Sequence, residues 1–385
     1  MQLAIITTHP IQYYAPVFKL LHERKQVDIK VFYTWGEAAT GKFDPGFDKK
    51  ITWDIPLLDG YPYEWVHNTS SRPGSHYFNG VINPGLVKQV NNFKPDAVLV
   101  IGWAYSGHLK VIRYFKNRVP VLFRGDSTLL DETNGIKNIL KSIFLKWLYR
   151  HIDHAFYNGT NNKAYFEKYG LKEARLSFAP HAIDNERFAR ERKNESLKLR
   201  QSLGITSTDI LVLYAGKLEE KKNPVLLVNA FIGLNNENVH LLFTGNGVLE
   251  SALKLKAEAY GNIHFIDFQN QTYMPVIYQA CDLFCLPSKG PAETWGLAVN
   301  EAMACSKAIL VSDKCGCAID LVRDGENGAI FKSGSLDDLL SCLKRLTLDK
   351  NRLAKYGELS ASIIKPWDFL TIAKAIENKL LNEER

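Results

Sequence analysis

The chain has 385 residues, which predicts two domains of roughly equal size. Its hydrophobic content of 46% and charged content of 23% exclude a disordered chain, and no apolar run is long enough for a membrane-spanning helix. The net charge of +7 suits a phosphorylated small molecule or an anionic membrane surface, but it is too small to indicate nucleic acid.

The first residues carry no basic segment, and their apolar stretch ends at His9-Pro10, so we expect no secretion signal and a cytoplasmic location. Short apolar runs then alternate with stretches of helical periodicity, which predicts βαβ units and parallel sheets. The predicted strands are 3–7, 27–33, 97–101 and 119–123, followed by 210–214, 239–243, 263–265, 283–286 and 308–311. The segment 40–72 does not fit the alternation and is expected to be a loop-rich insertion.

A charged stretch at 185–203 separates the two series of strands and is interpreted as the connection between domains. We therefore predict an N-terminal, acceptor-binding domain at 1–185 and a C-terminal, nucleotide-sugar-binding domain at 186–365. A last helix within 366–385 is expected to cross back to the first domain. Ligands of open parallel sheets bind at the carboxyl ends of the strands, so a cleft faced by both sheets is the expected site.

The six cysteines all lie in the second half of the chain and show neither a C-x2-C pair nor a histidine at zinc-ligand spacing. We expect buried thiols and no metal site. The cysteines are Cys281, Cys285, Cys305, Cys315, Cys317 and Cys342.

A lysine-rich loop follows the strand predicted at 210–214. Gly216 permits a tight turn, and Lys217, Lys221 and Lys222 precede a helix that begins with a proline. Lysines at such a position can bind a diphosphate, although a solvated basic loop has the same composition.

A glycine pair, Gly245 and Gly247, follows the next strand and allows a ligand to approach the backbone closely. The pair lacks the third glycine and the acidic residue of a dinucleotide fingerprint, so a nicotinamide site is not expected.

Two glutamates follow the strand at 283–286. Glu293 is predicted at the mouth of a helix and Glu301 two turns further on, about 10 Å away along the helix axis. One carboxylate could accept hydrogen bonds from sugar hydroxyls and the other from ribose hydroxyls, with phosphates near the free N–H groups of the helix start. The alternative is that both glutamates decorate a surface helix.

In this order and spacing, the motifs resemble retaining glycosyltransferases of family 4, which have the GT-B architecture. The resemblance covers about residues 150–345, and a P-H-A-I-D segment at 180–184 resembles the end of the family's first domain. It implies an α/β fold of two Rossmann-like domains with parallel sheets facing a central cleft. The residues that match are Glu293 and Glu301 of E-x7-E, Trp295, Gly296 and Leu297 between them, Lys217 in place of an arginine, Lys222, Gly216, Gly245 and Gly247.

The first domain matches the family less well. His9, Gln12 and Tyr13 stand after the first strand, where they contact the acceptor or a phosphate or form a structural turn. Asp126 stands about where the family often has a histidine near the reacting sugar. Asp126 is expected to contact the sugar with Arg124 as its partner, or to cap the next helix.

The segment 136–150 is predicted to be an amphipathic helix, with apolar residues at i, i+3, i+4 and i+7 and basic residues on both flanks. Two interpretations stay open. The apolar face packs on the sheet of its own domain, or it lies in an anionic membrane interface.

The resemblance implies transfer of a sugar from a UDP or GDP sugar to a hydroxyl of a glycan or lipid-linked glycan, with retention of configuration. Lysines near the diphosphate make a metal unnecessary, so we expect no metal and no cofactor beyond the sugar nucleotide. Glu293, Lys217, Lys222 and Asp126 are the predicted catalytic residues. The alternatives are a nucleotide-sugar epimerase, a phosphorylase, for which no pyridoxal-binding lysine is identified, and a non-catalytic sugar-nucleotide-binding protein.

Overall fold

The computed structural model describes residues 1–36, 43–44, 49–50, 52–133 and 135–381. Internal contacts divide the chain into two units. The first contains the described residues of 1–42, 56–181 and 368–385, and the second contains those of 43–55 and 182–367. The division near residue 181 lies close to the predicted boundary at 185. Residues 43–55 are grouped with the second unit, where the Trp53 ring lies 6.3 Å from the Phe268 ring.

The strands and helices alternate along most of the chain. The strands are β1 (Gln2–Thr7), β2 (Asp28–Tyr33), β3 (Phe43–Asp44), β4 (Lys49–Lys50), β5 (Tyr63–Trp65), β6 (Ala97–Ile101), β7 (Val121–Arg124), β8 (His154–Tyr157), β9 (Leu176–Phe178), β10 (Ile210–Ala215), β11 (Val239–Thr244), β12 (Ile263–Ile266), β13 (Leu283–Leu286), β14 (Ala308–Ser312) and β15 (Gly328–Phe331). The helices are α1 (Ala15–Arg24), α2 (Leu86–Asn92), α3 (Ser106–Phe115), α4 (Ile136–Tyr149), α5 (Thr160–Lys168), α6 (Asn185–Ala189), α7 (Lys193–Ser202), α8 (Pro224–Leu234), α9 (Glu250–Ala257), α10 (Met274–Ala280), α11 (Leu297–Ala304), α12 (Ala318–Leu321), α13 (Leu336–Leu346), α14 (Lys350–Ile364) and α15 (Phe369–Leu381).

Each unit is built on a parallel sheet. Among the described residues, the first sheet has the order β5-β2-β1-β6-β7-β8-β9 and the second has the order β12-β11-β10-β13-β14-β15. All strand pairs within these two sheets are parallel. The predicted fold class, α/β with two Rossmann-like domains of the GT-B type, is confirmed.

The strands read as continuous apolar runs because helices cover both faces of each sheet. All six residues of β10 are buried, as are five of the six in β1. The segment 40–72 was predicted to be a loop-rich insertion near one end of the first sheet, and its described residues contain the short strands β3 and β4 and the edge strand β5, which pairs with β2. With three residues, β5 is too short to show a strand period in the sequence.

The prediction that 185–203 connects the domains is wrong. This stretch forms α6 and α7 and is grouped with the second unit. Arg200 on α7 is buried, where it donates to a carboxylate oxygen of Asp282 at 3.1 Å and to the carbonyl of Asp209 at 2.7 Å. A buried arginine with these acceptors takes the place of an apolar side chain, so hydropathy alone missed the packing.

The last helix, α15, lies on α1 in the first unit. The guanidinium of Arg24 donates to both carboxylate oxygens of the buried Glu377, at 2.8 and 2.9 Å. A two-point arginine–carboxylate contact fixes orientation as well as distance, so it sets how α15 lies against α1.

Helix α4 places its apolar residues on two faces. Leu145, Leu148 and Tyr149 are buried against the first unit. The predicted apolar face is largely exposed, with Ile136, for example, 77% exposed. The interpretation that this face packs on the sheet is therefore wrong for most of its residues. No helix among the described residues is long and apolar enough to cross a membrane.

His108 on α3 makes the stability of the first unit sensitive to acid. Its buried ring donates from Nδ1 to the Gly102 carbonyl at 2.7 Å, and burial lowers the pKa of His108 to about 4. The value in an unfolded chain is about 6.5, so the unfolded state takes up this proton first as the pH falls from 6.5 towards 4. We expect His108 to remove about 2 kcal/mol from the free energy of unfolding between pH 7 and pH 5.

Urea titrations at the two pH values measure this loss. The free energy of unfolding of the His108→Asn variant should depend less on pH than that of the natural chain. Equal dependence in both proteins would contradict the assignment to His108.

Candidate functional site

Three predicted motif loops meet at one edge of the second sheet. They follow β10, β11 and β13, and β10 lies between the other two strands in the sheet. From β10 the chain continues to β11 and β12 on one side of the sheet, and from β13 it continues to β14 and β15 on the other side. The boundary between β10 and β13 is therefore a topological switch point. In open α/β sheets the crevice beyond such a point is the usual ligand site.

The glycine pair lets two of these loops touch. A Cβ atom on Gly245 would lie 2.2 Å from the Gly216 carbonyl oxygen, and one on Gly247 would lie 2.5 Å from the Leu218 carbonyl oxygen. The backbone N–H of Leu218 donates to the Asn246 carbonyl at 3.0 Å. Packing of the two loops against each other is therefore enough to require glycine at both positions. The contact of these glycines with a donor stays a prediction.

Lys222 and Glu293 form an ion pair across the switch point. The Lys222 ammonium contacts Oε2 of Glu293, and the Ser288 hydroxyl donates to the same oxygen at 2.7 Å. Glu293 is 8% exposed, so the pair is mostly withdrawn from water. The sequence assigned the lysine to a diphosphate and the glutamate to a sugar, and the structure places the two side chains in direct contact.

A second set of contacts joins the same two loops. The Lys289 ammonium lies 2.7 Å from a Glu220 carboxylate oxygen, and the Lys289 backbone N–H donates to the Lys221 carbonyl at 2.8 Å. Lys217 lies half-buried on the same lysine-rich loop. The loops after β10 and β13 are therefore held as one assembly, with cationic side chains at its edge.

Glu301 lies further along α11 and is buried. The Tyr278 hydroxyl donates to its Oε2 atom at 2.8 Å, which anchors the carboxylate. The alternative that both glutamates decorate a surface helix is wrong, because Glu293 and Glu301 are both buried.

The residues between the two glutamates form the turn into α11. Gly296 precedes the helix with a φ of 100°, a left-handed conformation that favours glycine, and the half-buried Leu297 is the first helical residue. Trp295 is buried, with Nε1 donating to Asn300 at 2.8 Å and its ring 5.1 Å from that of Trp367. The Trp295 side chain thus packs within the second unit, so only the Trp295 backbone is left to contact a donor.

The sequence analysis missed the support for Glu293 that comes from the loop after β14. The Gly316 backbone N–H donates to the Glu293 carbonyl at 3.1 Å, and that of Cys317 donates to the Trp295 carbonyl at 3.0 Å. A Cβ on Gly316 would lie 1.8 Å from the Thr294 carbonyl oxygen. The sequence offered one signal for this support, which is Gly316 itself, placed between Cys315 and Cys317 after a predicted strand.

Gly316→Ala is expected to lower the free energy of unfolding of the second unit by about 2 kcal/mol or more, because the new methyl group overlaps backbone. Thermal and urea unfolding measure the loss. The matched control is Gly261→Ala, whose Cβ would meet nothing within 4 Å. Equal stability of the two variants would contradict the tight fit at Gly316.

All six cysteines are buried and free, as predicted. Burial raises the pKa of Cys315 to about 12, and the negative charge of Glu293 adds to this rise. Cys315 therefore stays a neutral thiol at physiological pH and is a poor nucleophile. Within the described part of the chain, no group of three or more histidine, cysteine, aspartate or glutamate side chains is placed to hold a metal ion.

In the first unit, the residues predicted after β1 form the turn into α1. The His9 Nδ1 atom lies 2.9 Å from the Thr8 hydroxyl, and its ring lies edge-on to that of Trp35 at 5.1 Å. Gln12 is buried and Tyr13 is half-buried. These residues lie at the carboxyl end of the first sheet, and their contact with an acceptor stays a prediction.

Arg124 serves the fold. It is buried at the end of β7, where Nη1 and Nη2 donate to the carbonyls of Ala179 and Pro180 at 2.7 and 2.8 Å. Its guanidinium also lies 5.6 Å from the centroid of the Tyr14 ring. The structure thus gives Arg124 backbone partners where the sequence analysis paired it with Asp126.

Asp126 is exposed beyond the end of β7. The alternative that it caps the next helix is wrong, because Gly135 precedes α4 and no side chain caps that helix. Burial raises the pKa of both Tyr14 and Tyr105, and the charge of Asp126 adds to each rise. Asp126 therefore lies near residues that follow β1 and β6, at the carboxyl edge of the first sheet.

Residues 195–361 match the family model described as Glycosyl transferases group 1. The chain is 26% identical over 237 residues to the lipopolysaccharide 1,2-N-acetylglucosaminetransferase of Salmonella typhimurium, covering 57% of this chain and 60% of the relative. It is 23% identical over 269 residues to the N-acetylgalactosamine-N,N'-diacetylbacillosaminyl-diphospho-undecaprenol 4-alpha-N-acetylgalactosaminyltransferase of Campylobacter jejuni, covering 68% of this chain and 70% of the relative. The chain spans less than half of other curated relatives that it matches.

The crystal structure of HepE from Anabaena in complex with UDP and glucose shares the fold. The two superpose with a TM-score of 0.72 at 20% sequence identity, covering 99% of this chain and all of the other. At this identity the likeness concerns the fold alone.

Proposed function

We propose that this chain, whose residues 195–361 match the model of the group 1 glycosyl transferases, transfers a sugar from a UDP or GDP sugar with retention of configuration. The acceptor is a hydroxyl of a glycan or lipid-linked glycan in surface polysaccharide or lipopolysaccharide synthesis. The observation that carries this proposal is the ion pair of the half-buried Lys222 with the buried Glu293, set among three converging loops at a switch point. The relatives named above act in the same kind of chemistry.

The second unit binds the donor in this proposal. Lys222 and Lys217 stabilise the negative charge that grows on the diphosphate as the bond between its oxygen and the anomeric carbon of the sugar breaks. When the diphosphate takes up the Lys222 ammonium, the carboxylate of Glu293 is released to accept hydrogen bonds from the transferred sugar. Glu301 accepts from the ribose, and the loops of Gly216, Gly245 and Gly247 lie beside the phosphates.

The first unit binds the acceptor through His9, Gln12, Tyr13 and Asp126. The acceptor oxygen forms the new bond to the anomeric carbon on the face that the diphosphate leaves, and the acceptor proton passes to a diphosphate oxygen. No carboxylate nucleophile, metal or further cofactor takes part. The reaction takes place at the cytoplasmic side of a membrane, where sugar nucleotides and lipid-linked glycans meet.

A panel of nucleotide sugars tests the proposal by thermal shift. A ligand at 100 times its Kd adds about 2.7 kcal/mol to the stability of the state that binds it. We expect a UDP or GDP sugar to raise the Tm and NAD to leave it unchanged. Failure of every nucleotide sugar would contradict the proposal.

A transfer assay with the ligand that binds then separates the alternatives. Release of nucleoside diphosphate only in the presence of an acceptor supports transfer. Turnover without acceptor would favour an epimerase, and binding without any turnover would favour a non-catalytic binding protein.

A further inference from the structure

Helix α4 presents an apolar stripe to solvent on the side opposite to its buried face. The stripe consists of Ile136, Ile139, Leu140, Ile143 and Trp147, which are 77%, 60%, 63%, 63% and 36% exposed. They recur at helical spacing and so lie on one side of the helix. Leu145, Leu148 and Tyr149 bury the other side within the first unit.

This exposure is concentrated in α4. Among the described residues, every other helix has at most one large hydrophobic side chain of comparable exposure. Scattered apolar residues are normal on a protein surface, but a contiguous stripe marks a surface that another molecule or a membrane covers.

The charges around the stripe identify what covers it. Lys137, Lys146 and Arg150 are exposed, and residues 135–151 contain no aspartate or glutamate. By helical position, Lys137 lies on one flank of the stripe and Lys146 and Arg150 on the other. Lys141 instead turns towards the buried side of α4, where its ammonium lies 3.9 Å from a Glu132 carboxylate oxygen. The guanidinium of Arg113 on α3 lies 5.7 Å from the Trp147 ring and adds a further positive charge.

We propose that the apolar stripe of α4 inserts into the headgroup–acyl boundary of a membrane rich in anionic phospholipids. The helix lies parallel to the membrane surface, its isoleucine and leucine side chains enter the apolar layer, and its flanking cations reach the phosphates. A second copy of the chain fits less well, because two such stripes face to face would bring the flanking cations of both copies together, six like charges in all. The proposal concerns the first unit and does not rest on the proposed function.

Vesicle flotation of the full chain, without donor or acceptor, tests this proposal. We expect binding to vesicles of phosphatidylglycerol and phosphatidylcholine and little binding to phosphatidylcholine alone. Ile139→Gln combined with Ile143→Gln should lower the partition coefficient about tenfold or more, because two inserted side chains become polar. The matched control is Leu255→Gln combined with Leu348→Gln, which changes two exposed leucines elsewhere, 73% and 80% exposed. The control should bind as the natural chain does.

Two further measurements separate the parts of the proposal. Lys137→Gln combined with Lys146→Gln should reduce both the binding and its dependence on salt. Brominated lipids should quench Trp147 fluorescence, and the Trp147→Phe variant should lose that quenching.

Three outcomes would overturn the proposal. They are the absence of anionic vesicle binding by the natural chain, equal binding by the Ile139 and Ile143 variant, and a dimer in sedimentation that the same variant abolishes without any vesicle binding. Because the replaced side chains are exposed, an unchanged Tm identifies variants that retain the fold.

Discussion

Glu293→Gln lowers the rate of sugar transfer by about 100-fold or more and leaves the Kd for the bare nucleoside diphosphate within about threefold. Glutamine keeps the size of the side chain and an oxygen that can accept from the Ser288 hydroxyl. It loses the negative charge that strengthens hydrogen bonds from the sugar in the transition state. The diphosphate keeps its affinity because the Lys222 ammonium remains in place and no longer has a carboxylate competing for it.

Single-turnover rates at saturating donor and calorimetric titration with UDP or GDP measure the two quantities. Glu220→Gln is the matched control. Glu220 pairs with Lys289 beside the site, and its side chain is 70% exposed, so its loss should change neither quantity substantially. A Glu293→Gln variant with the natural transfer rate would contradict the role assigned to Glu293. So would a rate that falls only in proportion to diphosphate affinity.

Lys222→Met weakens binding of the nucleoside diphosphate by about 10- to 100-fold, because hydrogen bonds to charged groups contribute about 1.5–3 kcal/mol. Methionine keeps most of the length of the side chain and removes its charge. The substitution also leaves the mostly buried Glu293 carboxylate without its cation, so we expect a lower free energy of unfolding for the ligand-free chain.

Combining Lys222→Met with Glu293→Gln separates the two effects. The double variant should recover stability lost in Lys222→Met, because no charge is then left buried and unpaired, but it should not recover diphosphate affinity. Lys289→Ala is the control for nonspecific loss of positive charge, since its exposed ion pair with Glu220 joins the same two loops. Diphosphate affinity that is equal in Lys222→Met and the natural chain would remove the basis for assigning the diphosphate to Lys222.

The first sheet shows which positions a sequence can predict. His9 and Asp126 were placed at the carboxyl edge of the sheet because each follows an apolar run that was predicted to be a buried parallel strand, and loops after such strands share an edge of the sheet. The partner of Arg124 was not found, because its acceptors are the carbonyls of Ala179 and Pro180, and a backbone acceptor has no residue type to recognise.

The sequence by itself determined nine of the fifteen strands that the described residues form, the order of the motif loops and the glycines that let them turn, because periodicity and turn chemistry act over a few neighbouring residues. It could not determine that Lys222 meets Glu293, 71 residues away, since that contact depends on which strands become neighbours in the sheet. The same limit applies to α4. A helical period reveals that apolar residues share a face, and α4 has two such faces. Only packing in three dimensions decides which face is buried against the first unit and which is left exposed.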